Sequence, residues 1–213
     1  DQRMTVLQAR ALEASARGQR NVVGTVVQYV AHPTRMGSDY RFIHGDYITG
    51  LNNQLEAEYP GSTSLYYNGP IADASSSNQA DVPEGASREV AAELMGEALA
   101  DRATTLINAA RPQFMPEINY QTATASVAVT NALFQTVGAK GYFNGYYDFV
   151  SGNPDPDARA TANPQAVASG STLVSRLTLG RQGCEVLEVV TIPGEASNPF
   201  GQYLRSLAAD RDM

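Results

Sequence analysis

Cysteine is nearly absent from this chain of 213 residues: Cys184 is the only one, so no disulfide can form within the chain and stability must come from packing. Tryptophan is missing altogether, and of the 15 basic residues only Lys140 is a lysine. The arginines are spread along the whole length, which fits the codon bias of a GC-rich genome better than a functional arginine patch. Charged residues make up 17%, below the roughly 25% usual for globular chains. With 22 acidic residues the net charge is −7, so a nucleic-acid or anionic-membrane footprint, which needs clustered Lys and Arg, is argued against. No window approaches the run of about 18 apolar residues that a membrane span requires. The apolar share, 43%, and the length are enough to bury one substantial core, and the chain reads as one domain over residues 1–213. The start, Asp1-Gln-Arg-Met-Thr-Val-Leu, has neither an initiating Met nor a signal-peptide core and reads as a strand already under way, as in a mature product or a processed piece.

The pattern along the chain alternates strands and helices. Thr5 to Leu12 and Asn21 to Ala31 are β-branched and apolar and read as two paired strands around a turn near Gly18. The second is apolar on both faces, as a central buried strand is. It ends at His32-Pro33, where proline removes a ladder donor and turns the chain. Tyr47 to Tyr59 shows a helical stripe (Ile48, Leu51, Leu55), with Asp46 placed to cap it and Pro60-Gly61 to stop it. Ser64 to Tyr67 is a short strand, followed by a stretch from 68 to 85 with little hydrophobic periodicity; loops of that length in compact domains tend to be functional or disordered.

Ser87 to Ala110 is a capped helix with Val90, Leu94, Leu99 and Leu106 on its expected buried face. Ile118 to Thr130 alternates as a half-buried strand does. Residues 144–164, rich in Gly, Pro, Asp and Tyr, read as a surface excursion. Leu173 to Leu179 and Glu185 to Ile192 form a strand pair around Gly180–Gly183, and a last helix runs from Pro199 to Ala208. The fold class is α/β with a mixed β-sheet and flanking helices.

Chemistry-bearing residues are few. His32 and His44 are the only histidines. A catalytic zinc takes three protein ligands from His and carboxylates and keeps a position for water, and the chain offers His32, His44, Glu195 and Asp46 for that purpose. Each has an ordinary structural use as well: a hydrogen-bonded histidine past a strand, a carboxylate at a helix start. The run Tyr142-Phe143-Asn144-Gly145-Tyr146-Tyr147 reads as loop packing before it reads as a groove. Asp155 and Asp157 around Pro156 lack the oxygen ladder of a calcium loop, and Cys184 beside a turn is an inert small residue. A metal-independent serine esterase is disfavoured by the absence of a Gly-x-Ser-x-Gly elbow.

Taken in order, four segments resemble the neutral/alkaline ceramidase family: His32-Pro-Thr, Ile43-His-Gly-Asp46-Tyr-Ile-Thr-Gly50, Asn68-Gly-Pro-Ile-Ala-Asp-Ala-Ser75, and Ile192-Pro-Gly-Glu195. The resemblance covers about residues 1–209 and is thin between 111 and 170. It implies a ceramidase-like catalytic domain, here a C-terminal portion, and a Zn2+-dependent amidase that cuts the N-acyl bond of a ceramide-like lipid. On the matching positions, His32 and Glu195 would be zinc ligands, Ser75 the nucleophile towards the amide carbonyl, and Asp46 a support from the start of its helix.

The chain departs from the family pattern in four places. No His-x-His motif precedes His32, and only 18 residues follow Glu195, fewer than the family needs to reach its zinc-binding Tyr. The usual Gly-Asp-x-Ser-Pro reads Ala72-Asp73-Ala74-Ser75-Ser76, and His44 stands where Ser is common. Two expected ligands must therefore come from another segment or chain of the same protein. The alternative is a catalytically inactive relative that keeps the fold for binding or assembly. The resemblance also implies an extracellular or periplasmic location.

Overall fold

The computed structural model describes residues 3–12, 21–76, 82–113, 117–128, 131–133, 136, 169–181 and 184–209. The turn at Gly18, the excursion over 144–164, the aromatic run 142–147, Asp155, Asp157 and the side chain of Cys184 lie outside the described residues. The chain divides into two compact units, one of Asp1–Pro112 with Glu195–Met213 and one of Gln113–Gly194.

The first unit is built on a three-stranded mixed sheet in the order β1-β2-β3, with β1 at Met4–Arg10, β2 at Val22–Tyr29 and β3 at Thr63–Asn68. β1 runs antiparallel to β2, whereas β3 runs parallel to it. A parallel neighbour needs a crossover, and helix α1 (Tyr47–Glu58) lies within it. Helix α2 (Arg88–Ala109) follows β3, and helix α3 (Asn198–Ala209) returns to this unit at the end of the chain. The fold class is α/β with a mixed sheet, as the pattern predicts.

One face of β2 carries Thr25, Val27 and Tyr29 into the core, where Val27 and Tyr29 meet Tyr47, Leu51 and Leu55 of α1 and Met95, Leu99, Ala100 and Ala103 of α2. The strand is central, as its sequence suggests, but it is not buried on both faces: Val26 and Gln28 on the other face are half-buried. Arg205 of α3 reaches that second face, its Nη2 donating to Gln28 Oε1 at 3.4 Å. β3 is tied to α1 by Ser64, whose N–H donates to Glu56 Oε1 at 2.9 Å and whose Oγ lies 2.9 Å from Asn52 Oδ1.

Helix α2 differs from its expected orientation. Of the four aliphatic residues expected inside, only Leu99 is buried, while Val90 and Leu106 are 42% and 40% exposed. The buried face is instead the small-residue one, with Ala92, Gly96, Ala100 and Ala103 beside Met95 and Ile107. The reason is backbone contact between α1 and α2. A Cβ on Gly96 would stand 2.2 Å from the Tyr47 carbonyl, and one on Gly50 would stand 2.5 Å from the Glu93 carbonyl. Periodicity locates a large apolar stripe, but helices this close require the face without side chains.

The second unit is an antiparallel sheet in the order β4-β5-β6, with β4 at Glu117–Ala128, β5 at Ser169–Arg181 and β6 at Cys184–Val190. The β5–β6 hairpin closes at the pair Arg181↔Cys184, and its register slips between Leu179 and Gly180. β4 was expected to be half-buried. Among the described residues both of its faces are open: residues 117–124 are all exposed, Ile118 at 74% and Tyr120 at 64%. β4 pairs with β5 along its whole length.

Candidate functional site

β2 hands the chain to Ala31 and His32 at one end of the sheet, and Pro33 begins a tight turn in which the Thr34 N–H donates to the His32 carbonyl at 2.9 Å. Two distant segments join this turn. The His32 N–H donates to the Ala74 carbonyl at 3.0 Å, and the Ala72 N–H to the Ala196 carbonyl at 3.0 Å. Segments 32–35, 71–76 and 195–198 are thus stitched together by backbone hydrogen bonds. Between the first two lies an open cavity of about 330 Å³ lined by His32, Thr34, Ala72, Asp73, Ala74 and Ser75.

Three of the four residues singled out in the sequence gather here. His32 Nε2 lies 3.8 Å from Glu195 Oε2, with the histidine side chain 28% and the glutamate side chain 67% exposed. Ser75 lines the same cavity as His32. Asp46 does not line it. Its side chain is the N-cap of α1, with Oδ1 accepting from the Tyr47 N–H at 2.8 Å and Oδ2 from the Met36 N–H at 3.1 Å. Asp46 is 3% exposed and sits at φ 55°, ψ −148°, a left-handed backbone that strains any residue but glycine. Its two short bonds hold that conformation, and its own N–H donates to His44 Nδ1 at 2.9 Å. His44 is thereby a partner of the cap, outside the cavity lining.

Asp73 is a residue that pattern reading missed. Its Oδ1 accepts the Asn198 N–H at 2.7 Å and so caps α3 from the other side of the site. No local motif reveals a cap supplied from so far along the chain; the only sequence hint is a carboxylate in a loop of small residues. The tether fixes the first turn of α3, and with it the irregular lead carrying Glu195.

Behind the site, a tyrosine network holds the end of β2. Tyr47 Oη donates to the Ala31 carbonyl at 2.7 Å and lies 2.8 Å from Tyr66 Oη, the two rings packing edge to face at 5.8 Å. Burial raises the pKa of both phenols, that of Tyr66 to about 12 and that of Tyr47 above the usual range, where the bond to Tyr66 adds to the shift. Both hydroxyls therefore stay protonated at neutral pH and serve as donors.

Imidazole nitrogen and carboxylate oxygen are both zinc donors. With metal bonds of about 2.0–2.2 Å, a nitrogen and an oxygen 3.8 Å apart can share one ion at a wide angle. Among the described residues no group of three or more His, Cys, Asp or Glu is placed to hold a metal. The residues present thus fit two positions of a zinc centre.

The α/β fold is ceramidase-like. The chain superposes on the crystal structure of neutral ceramidase from Pseudomonas aeruginosa with a TM-score of 0.61 over 95% of its own length, at 14% sequence identity. It spans 36% of that chain. At this identity the likeness is one of fold. No protein-family model and no curated protein matches the sequence. No described helix is long and apolar enough to cross a membrane.

Proposed function

We propose that this chain is part of a ceramidase-like catalytic domain and contributes part of the centre of a zinc-dependent amidase that hydrolyses the N-acyl bond of a ceramide-like lipid. The observation that carries the reading is the approach of His32 to Glu195, 3.8 Å, at a cavity that Ser75 also lines. His32 and Glu195 would hold the zinc, and another segment or chain of the same protein would complete its ligands. When bound, the ion supplies polarisation of a carbonyl or a lowered pKa for a coordinated water or hydroxyl. Ser75 Oγ bonds to the acyl carbon as the C–N bond breaks, and the amine leaves carrying the serine's proton; water then cleaves the Ser75 ester, releasing the fatty acid and restoring the hydroxyl. Asp46 acts at a distance, by fixing the start of α1 and the backbone at Met36. An extracellular or periplasmic setting accords with this reading.

The test is zinc content by elemental mass spectrometry, together with hydrolysis of a fluorogenic N-acyl amide lipid, for wild type and the His32→Ala/Glu195→Ala double variant. Loss of zinc and of turnover in the double variant supports the reading. Absence of zinc from wild type with hydrolysis unchanged in the double variant overturns it.

A second reading, a catalytically inactive ceramidase-like domain for binding or assembly, is favoured by the use of nearby carboxylates as helix caps, Asp46 on α1 and Asp73 on α3. Turnover that disappears in Ser75→Ala excludes it.

A further inference from the structure

We propose, resting on the hydrolase reading above, that Arg35 is a positioning residue that sets the placement of Ser75. The turn that presents His32 grips the carbonyls of Ala74 and Ser76, the residues before and after Ser75. On one side the His32 N–H donates to the Ala74 carbonyl at 3.0 Å; on the other Arg35 Nη1 donates to the Ser76 carbonyl at 2.7 Å. The two gripped planes, Ala74–Ser75 and the one beginning at the Ser76 carbonyl, bracket the torsions of Ser75 and Ser76, so this short segment is pinned at both ends. The placement of Ser75 within it thus depends on the turn at residues 32–35 that presents His32.

The two grips differ in kind. The first joins backbone to backbone and contains no side-chain atom. The second depends on one guanidinium, a charge-assisted donor to a carbonyl of Ser76, which is itself 1% exposed. Arg35 is braced from behind, its Nη1 also 3.7 Å from Sδ of Met95, a residue of α2 with no exposure. It is absent from the cavity lining, which holds its neighbours His32 and Thr34. Arg35 thus acts through the Ser75 backbone and not on substrate. Lysine carries a point charge on a flexible stem and keeps a donor without the fixed direction of a guanidinium N–H.

The experiment compares Arg35→Met, which keeps the alkyl bulk on Met95, and Arg35→Lys with wild type on a fluorogenic N-acyl amide lipid. Thermal melting confirms that each variant folds. A loss of about 10- to 100-fold in kcat for Arg35→Met, with KM unchanged and partial recovery in Arg35→Lys, is expected for a misplaced nucleophile. An unchanged kcat, or a rise in KM that accounts for the whole loss, overturns the proposal. Should wild type cleave no such amide, the hydrolase reading fails on its own. The grip is then judged by amide hydrogen exchange at His32, Ala72 and Ala74: faster exchange in Arg35→Met sustains it, and unchanged protection overturns it.

Discussion

Tyr47 and Tyr66, one on α1 and one on β3, meet hydroxyl to hydroxyl at 2.8 Å behind the strand that delivers His32. Tyr47 Oη donates its hydrogen bond to the carbonyl of Ala31, a residue with no exposure. Replacing Tyr47 by Phe keeps the ring in the core and removes only the donor. The Ala31 carbonyl and the Tyr66 hydroxyl then lose a buried partner, at a cost of about 1–3 kcal/mol. Chemical denaturation should show a lower midpoint at unchanged slope.

The same network predicts an alkaline limit. Burial raises Tyr66 to about 12 and raises Tyr47 further, against a value near 10 for an unfolded tyrosine. Between these values the folded chain holds protons that the unfolded chain has lost, so stability falls as pH rises. The contribution is complete below about pH 10 and is lost progressively through pH 12. Denaturation midpoints measured from pH 9 to 12 should fall more steeply in wild type than in Tyr66→Phe.

Much of this architecture was legible because it is local. Asp46 before a stripe of Ile48, Leu51 and Leu55 announces α1, and the apolar run from Val22 to Val30 announces a central strand. The gathering of His32, Ser75 and Glu195 at one place was reached only through ordered resemblance, since nothing in a segment's own composition says which distant loop it will touch. What escaped was decided by tertiary contact. Asp73 caps a helix 125 residues away, and α2 turns its small residues inward because α1 lies against its backbone. Arg35 looked like one arginine among 14 until its guanidinium was seen on the Ser76 carbonyl.

The closeness of α1 and α2 can be tested at Gly96. A methyl group there would stand 2.2 Å from the Tyr47 carbonyl and 2.4 Å from the Leu51 nitrogen, both backbone atoms that cannot rotate away. Gly96→Ala must therefore push the helices apart, against the small gain alanine brings to helix propensity, and overpacking of this kind costs about 1–3 kcal/mol or more. The melting temperature should drop. Because Tyr47 belongs to the displaced helix, exchange at the Ala31–His32 backbone should quicken as well.

The tether from Asp73 to α3 makes the last prediction. Its Oδ1 accepts the Asn198 N–H at 2.7 Å, filling one of the donors a helix start leaves open, and its charge faces the positive end of the helix dipole. Asp73→Ala removes both contributions and should cost about 0.5–2 kcal/mol. Asp73→Asn keeps an acceptor oxygen without the charge and should lose less. The local consequence separates this role from general destabilisation. Ala196, next to Glu195, accepts from the Ala72 N–H at 3.0 Å, so the 71–76 loop and the Glu195 segment are held by two adjacent bonds. With one bond gone, exchange at Ala72 and Asn198 should rise in Asp73→Ala while amides in the middle of α2 keep their protection. Uniform loss of protection across the unit would instead mean that Asp73 supports the fold as a whole and has no special hold on Glu195.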